Sequence, residues 1–150
     1  MNNDRNRKGK YIFSEIQSRE KTKSMIAERK LKLQNLNLDY EKMMDVGTVC
    51  YDKVVHNESY KDKASIANSI LSDQLNVEKE ISFLQRQLEY RNRLYNSVIT
   101  YYDGVDRALL ADYFSGNYSN QQLKLKYYES HPYKKVIRLL EDADIDLLQM

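Results

Sequence analysis

The sequence predicts an all-α protein: a long antiparallel helical hairpin of the coiled-coil type, followed by a small C-terminal domain of three helices. Only four Gly and one Pro occur in 150 residues, too few turn formers for a many-stranded sheet. Apolar residues recur every three or four positions along two long segments, which is the helical period. After Asp103-Gly104 the segments become shorter, and tyrosines and positive charges cluster. A domain boundary is therefore predicted there.

Residues 1–12 are predicted to be a disordered basic arm, because charged and polar residues dominate its first part. Over residues 1–35, ten Lys/Arg stand against four Asp/Glu, although the net charge of the whole chain is only +2. A local excess of this kind can attract an anionic partner, or it can be the solvated face of a helix. The sequence leaves both interpretations open.

The hairpin is predicted over residues 13–102, with a loop at 46–64 that contains a β-like patch at Val49–Val55. Gly47 is expected to end the first helix, since glycine is the usual residue just past a helix C-terminus. The first apolar seam consists of Ile26, Leu33, Leu36, Tyr40 and Met43. The second consists of Ile66, Ile70, Val77, Ile81, Leu84, Leu88, Tyr95, Val98 and Tyr102. Its period is close to 3.5, so we expect the helices to pair and the chain to form a homo-oligomer.

Residues 105–150 are predicted to form three helices, over Asp106–Ser115, over Asn120–Tyr128, and from about Pro132 to Leu148. Ser119 with Gln122 three residues later predicts a capping box at the second helix. Ser130 is expected to cap the third helix, with Pro132 in its first turn. Two short helices joined by a tight turn are typical of a helix-turn-helix.

A helix-turn-helix binds DNA through exposed donors near the start of its last helix. Val136, Leu140 and Ala143 are predicted to face the core. The predicted DNA-contacting residues of the last helix are Tyr133, Lys134, Lys135, Arg138 and His131. Asn120, Gln121 and Lys124 of the preceding helix are predicted to hold the phosphate backbone. Instead of contacting DNA, the basic residues could be ordinary solvated charges, and Tyr133 could pack against the rest of the domain.

The C-terminal segment resembles region four of sigma factors, the domain that reads the promoter −35 element. The resemblance rests on Leu109-x-x-x-Tyr113-Phe114-x-Gly116, on Ser119 opening a helix, and on Val136-x-x-x-Leu140-x-x-Ala143. The whole layout is similar to phage late-transcription regulators of the ArpU/RinA type. The resemblance implies a DNA-binding activator of phage late genes that acts in the cytoplasm of a bacterial host and contacts the host RNA polymerase.

The segment also departs from the sigma pattern. Lys124 or Lys126 stands where a small residue is expected. The chain between Ser119 and Val136 is about two residues longer than the pattern, and Ser130 stands near the place of the usual turn glycine. The register of the second helix is therefore left open.

Two other functions remain open from the sequence. A small terminase subunit also joins a helix-turn-helix to an oligomerising hairpin, although such proteins usually place the DNA-binding domain first. A helical interaction protein would use the long helices to bind a partner and would not bind DNA.

Catalysis is not expected. Cys50 is the single cysteine, and no third group accompanies it and His56 as a nucleophilic site would need. No phosphate-binding glycine motif is present, and the acidic groups lack histidine partners. We therefore expect no cofactor and no metal. No apolar run of about 18 residues is present either, so a membrane partner is not expected.

Overall fold

The computed structural model describes residues 5–51 and 57–149, with side-chain surroundings for 5–44 and 62–149. The helices are α1 (Arg7–Gln17), α2 (Arg19–Tyr51), α3 (Asn57–Tyr101), α4 (Gly104–Ser115), α5 (Asn120–Tyr127) and α6 (Pro132–Asp142). A 3-10 turn at Leu147–Gln149 follows. The described residues contain no strand, so the predicted all-α class is confirmed.

The N-terminal segment differs from its prediction. Residues from Arg7 onward form a regular helix rather than a disordered arm, because Ile12 and Ile16 are fully buried one turn apart. Ser18 then separates α1 from α2. Its hydroxyl donates to the carbonyl oxygen of Ser14 (2.8 Å), a side-chain bond to the preceding turn that often bends helices.

The predicted loop at 46–64 is wrong at both of its ends. The helix α2 continues to Tyr51, and α3 already begins at Asn57. Gly47 therefore lies inside α2 and does not end it, because one internal glycine costs only about 1 kcal/mol relative to alanine. Residues 52–56, with His56 and the last part of the proposed β-like patch, lie outside the described residues.

The chain divides into two compact units, but not at the predicted boundary. The first unit combines Met1–Lys21 with Gln87–Met150, and the second is Thr22–Arg86. The first has one continuous apolar core, to which α1, the end of α3, α4, α5, α6 and residues 143–145 all contribute. The C-terminal helices thus share their core with the two segments that the sequence assigns to the arm and the hairpin.

In the second unit, α2 and α3 run in opposite directions. Arg29 forms an ion pair with Glu80 (2.7 Å), and the Gln74 amide donates to Asn37 (2.6 Å), so later residues of α2 meet earlier residues of α3. Ile26, Val77, Ile81 and Leu84 are buried there, as the seams predict. Ile66 is 51% exposed, so the predicted seam is wrong at that position.

Candidate nucleic-acid interface

The start of α5 is fixed by local chemistry that the sequence predicts correctly. The Ser119 hydroxyl accepts from the Gln122 backbone N–H (3.2 Å), and the Gln122 side chain accepts from the Ser119 N–H (2.8 Å). Gly116 ends α4 in the left-handed region, with φ of 74°, which glycine adopts without a Cβ penalty. The turn between α4 and α5 is therefore encoded in its own residues.

The start of α6 differs by one residue from the prediction. His131, rather than Ser130, occupies the N-cap position, and Pro132 is the first helical residue, where the missing N–H has no partner to lose. The helix ends at Asp142 and not near Leu148, because Ala143 turns to extended backbone. The side chain of Ala143 is nevertheless buried, like those of Val136 and Leu140, so the predicted core face is confirmed.

The opposite face of α6 is exposed and basic. Lys134 and Arg138 lie one turn apart and are exposed, Lys135 is half-buried, and His131 is exposed just before the helix. None of these side chains forms an ion pair with a described carboxylate. A helix with one fully buried side and one basic side can present its charges to an anionic partner without losing packing.

Three predicted site residues lie on α5. Asn120 and Gln121 occupy its first turn and are exposed, and Lys124 is half-buried one turn later. Helix N-termini carry unpaired backbone N–H groups that can bind phosphate. In α5 the backbone N–H of Gln122 donates to the Ser119 hydroxyl. The backbone N–H groups of Asn120 and Gln121 make no hydrogen bond within the helix.

Tyr133 has a mixed environment. Its side chain is 45% exposed, but its ring meets the ring of Phe13 edge-on, with the centroids 5.2 Å apart. Phe13 also contacts Tyr113 and Phe114 of α4. The ring of Tyr133 thus packs on an aromatic cluster that α1 brings to α6, in line with the packing alternative for this residue.

Lys126, by contrast, is used within the domain. Its ammonium donates to the Asp112 carboxylate (2.7 Å), which also accepts from the Tyr127 hydroxyl. The hydrogen bond from Lys126, followed by that from Tyr127, lowers the pKa of Asp112 below its ordinary value. This cluster ties α4 to α5.

The helix α1 packs antiparallel on α6. An added Cβ on Gly9 would stand 2.5 Å from the Ile137 carbonyl oxygen, so only glycine permits this approach. The Gly9 backbone N–H donates to the Glu141 carboxylate (2.5 Å), and the Lys8 ammonium donates to the Ala143 carbonyl oxygen (2.7 Å). Each helix end thus receives the charge that favours its dipole.

Two exposed residues beside the interface were missed from the sequence. Leu125 is 69% exposed and Tyr128 is 96% exposed, at the junction between α5 and α6. Tyr128 has a φ of 52°, in the left-handed region that usually calls for glycine. The sequence places Ser130 near the position of a turn glycine, whereas the left-handed residue of this turn is Tyr128.

The described part of the chain contains no group of His, Cys, Asp and Glu that could hold a metal ion. A shallow groove of about 460 Å³ is lined by residues of α3 and of the C-terminal tail, among them Thr100, Tyr101 and Asp146. Among the described helices, none is both long and apolar enough to span a bilayer.

The comparisons with known proteins add no relative. No protein-family model, no curated protein and no solved structure matches the chain.

Proposed function

We propose that this protein binds double-stranded DNA, with α5 and α6 acting as a helix-turn-helix and α6 entering the major groove. The observation that carries the proposal is the basic outer face of α6, where Lys134 and Arg138 are exposed and free of acidic partners among the described residues. Exposed cations on one face of a helix can contact phosphates and base edges when the helix lies in a groove. His131 extends this face toward the helix start, and the half-buried Lys135 lies between Lys134 and Arg138 along the chain.

The α5 residues then have a positioning role. Asn120 and Gln121 stand at the helix N-terminus, where side-chain amides and backbone N–H groups together suit a phosphate. Lys124 adds a cation one turn later. Such contacts fix the position of the protein on the duplex without reading sequence.

The biological role follows from the resemblance to sigma region four and to regulators of the ArpU/RinA type. In this role the protein regulates transcription, as an activator of phage late genes that contacts the host RNA polymerase in the bacterial cytoplasm. The second unit then serves as the antiparallel hairpin through which copies of the chain associate. Its two antiparallel contacts, Arg29–Glu80 and Asn37–Gln74, support the hairpin.

The test is fluorescence anisotropy of the full chain with labelled duplex DNA over a series of salt concentrations. The variant K134Q/R138Q removes two cations of α6, and K30Q/K32Q removes two exposed cations of α2 as a control of equal charge. We expect wild-type affinity to fall steeply with salt. In K134Q/R138Q the log–log slope should be flatter by about 2 units, since each lost phosphate contact removes about 0.9.

K30Q/K32Q should keep the wild-type slope. An equal flattening of the salt slope in both variants would show that binding depends on the overall charge of the protein and not on α6. The absence of wild-type binding at low salt would contradict the proposal. A ring-sized particle on a sizing column would instead favour the small terminase subunit. A helical interaction protein would show no salt-dependent DNA binding at all.

A further inference from the structure

We propose that α1 belongs to the DNA-binding surface, with Lys10 and Arg7 extending the basic face of α6 to further phosphates. The inference rests on the proposed function and names a second element for it. It gives a role to part of the basic excess in residues 1–35, which the sequence leaves open between a partner-binding surface and a solvated helix face.

The register of α1 on α6 places Lys10 at the level of Arg138. Gly9 approaches Ile137 and Glu141, whereas Phe13, one turn later, meets Tyr133. Residues with higher numbers in α1 therefore lie beside residues with lower numbers in α6. Gly9 lies beside the segment from Ile137 to Glu141, which includes Arg138, and Lys10 is the next residue after Gly9.

The helical geometry places both cations on the same side of the helix pair. Lys10 follows the contact residue Gly9 by one position, and Arg138 follows the contact residue Ile137 by one position. One residue is a turn of about 100° around a helix. Viewed along the helix pair, the two chains run in opposite directions, so the two rotations of about 100° have opposite senses. Both side chains therefore lie on the same outer side of the pair.

The flank of α1 that carries Tyr11 and Glu15 is occupied by α3, and Lys10 lies on a different side of the helix. Tyr11 shares a hydrogen bond with the Tyr90 hydroxyl (3.0 Å), and Glu15 pairs with Arg91 (2.9 Å), so that flank faces α3. Arg7 precedes Lys10 by three residues and Tyr11 by four, so it lies between the side of Lys10 and the flank that faces α3. Both Arg7 and Lys10 are exposed.

The cations of this surface outnumber its exposed acid, Asp142, which lies one turn after Arg138. Arg7, Lys10, Lys134 and Arg138 form no ion pair with any carboxylate in the described ranges 5–51 and 57–149. Glu141, the acid nearest to the contact, is engaged by the Gly9 N–H at the start of α1. Two parallel rows of unpaired cations suit the phosphate backbone that borders a groove occupied by α6.

The experiment adds R7Q/K10Q to the anisotropy series with the same random-sequence duplex, alongside K134Q/R138Q and K30Q/K32Q. Thermal unfolding followed by circular dichroism checks that each variant keeps its fold. We expect R7Q/K10Q to flatten the log–log salt slope by up to about 2 units relative to wild type. The control K30Q/K32Q should keep the wild-type slope.

The outcomes separate this inference from the proposed function. If K134Q/R138Q weakens binding while R7Q/K10Q behaves like K30Q/K32Q, α1 is not part of the surface and the function of α6 stands. If wild type does not bind, or if all three variants match it, both proposals are overturned. If R7Q/K10Q unfolds, single variants R7Q and K10Q replace it, each with an expected change of about 1 unit.

Discussion

The two compact units of this protein bury their apolar side chains to very different extents. The first unit, Met1–Lys21 with Gln87–Met150, has a cluster of twelve buried residues, of which Leu94, Leu110 and Leu140 are fully inaccessible. The second unit, Thr22–Arg86, buries few large apolar side chains among its described residues. Its exposed large apolar residues are Leu31, Leu38, Met44, Ile66, Leu71, Leu75 and Phe83.

The difference follows from how many neighbours a helix has. In the first unit, α6 packs against α1, α4 and α5, so its apolar residues are covered from several sides. Two antiparallel helices alone bury one seam each and leave the rest of each surface to solvent. Stability of the first unit should therefore depend on more individual core side chains than that of the second.

The largest expected effect is that of Leu140→Ala. The side chain is fully buried, so its truncation should lower the free energy of unfolding by about 3–4 kcal/mol. Leu31→Ala, at a position 58% exposed, should change it by less than about 0.5 kcal/mol. Urea denaturation followed by circular dichroism measures both. An equal loss in Leu31→Ala would show that the second unit buries this residue against another chain, which would remove the contrast between the units.

A smaller effect is expected from Gly9→Ala, which tests the contribution of α1 to the first unit. The new Cβ would clash with the Ile137 carbonyl oxygen, a backbone atom, so α1 or α6 must shift. We expect a loss of about 1–3 kcal/mol in the same denaturation experiment. Ser14→Ala, at an exposed position of α1, is the control and should be nearly neutral. Stabilisation by Gly9→Ala would mean that α1 does not pack on α6 in solution, since alanine favours an isolated helix.

The smallest effect concerns the acid stability of the first unit. The folded state lowers the pKa of Asp112 from its ordinary value of 3.8, through hydrogen bonds from Lys126 and then Tyr127. The stabilisation is therefore complete above pH 3.8 and is lost as the pH falls through the lower folded pKa. When the pH is lowered through that range, the melting temperature of Asp112→Asn should therefore fall less than that of wild type. Melting temperatures between pH 2 and 7 measure this, with Asp39→Asn of α2 as control; parallel curves for wild type and Asp112→Asn would contradict it.

The sequence was informative wherever structure depends on neighbouring residues. The capping box at Ser119 follows from two residue types at a fixed spacing. The core positions Val136 and Leu140 follow from the helical period. The period fails where burial depends on a distant segment: Leu94 is fully buried although the predicted seam skips it, and Ile66 is exposed although the seam includes it.

The N-terminal segment shows why the other features needed the structure. Its composition resembles that of a disordered arm, but Ile12 and Ile16 form an apolar stripe one turn apart that becomes a helix only when a surface covers it. Gly9 looks like a helix breaker in the sequence, and the tertiary structure uses it for close contact with α6. The spacing of Gly9, Ile12 and Ile16 indicates one face of a helix, but it does not indicate which helix that face packs against.

The sequence by itself determined the helical class, the local turns and caps, and the positions of the basic residues, because these depend on residues a few positions apart. Only the tertiary structure decided that α1 packs on α6 and that the N-terminal residues share a core with the C-terminal helices. These contacts join residues that are far apart in the sequence; Gly9 and Glu141, for example, are 132 positions apart. No local preference specifies such a pairing; it arises because the exposed apolar stripe of one helix is stabilised by covering that of another.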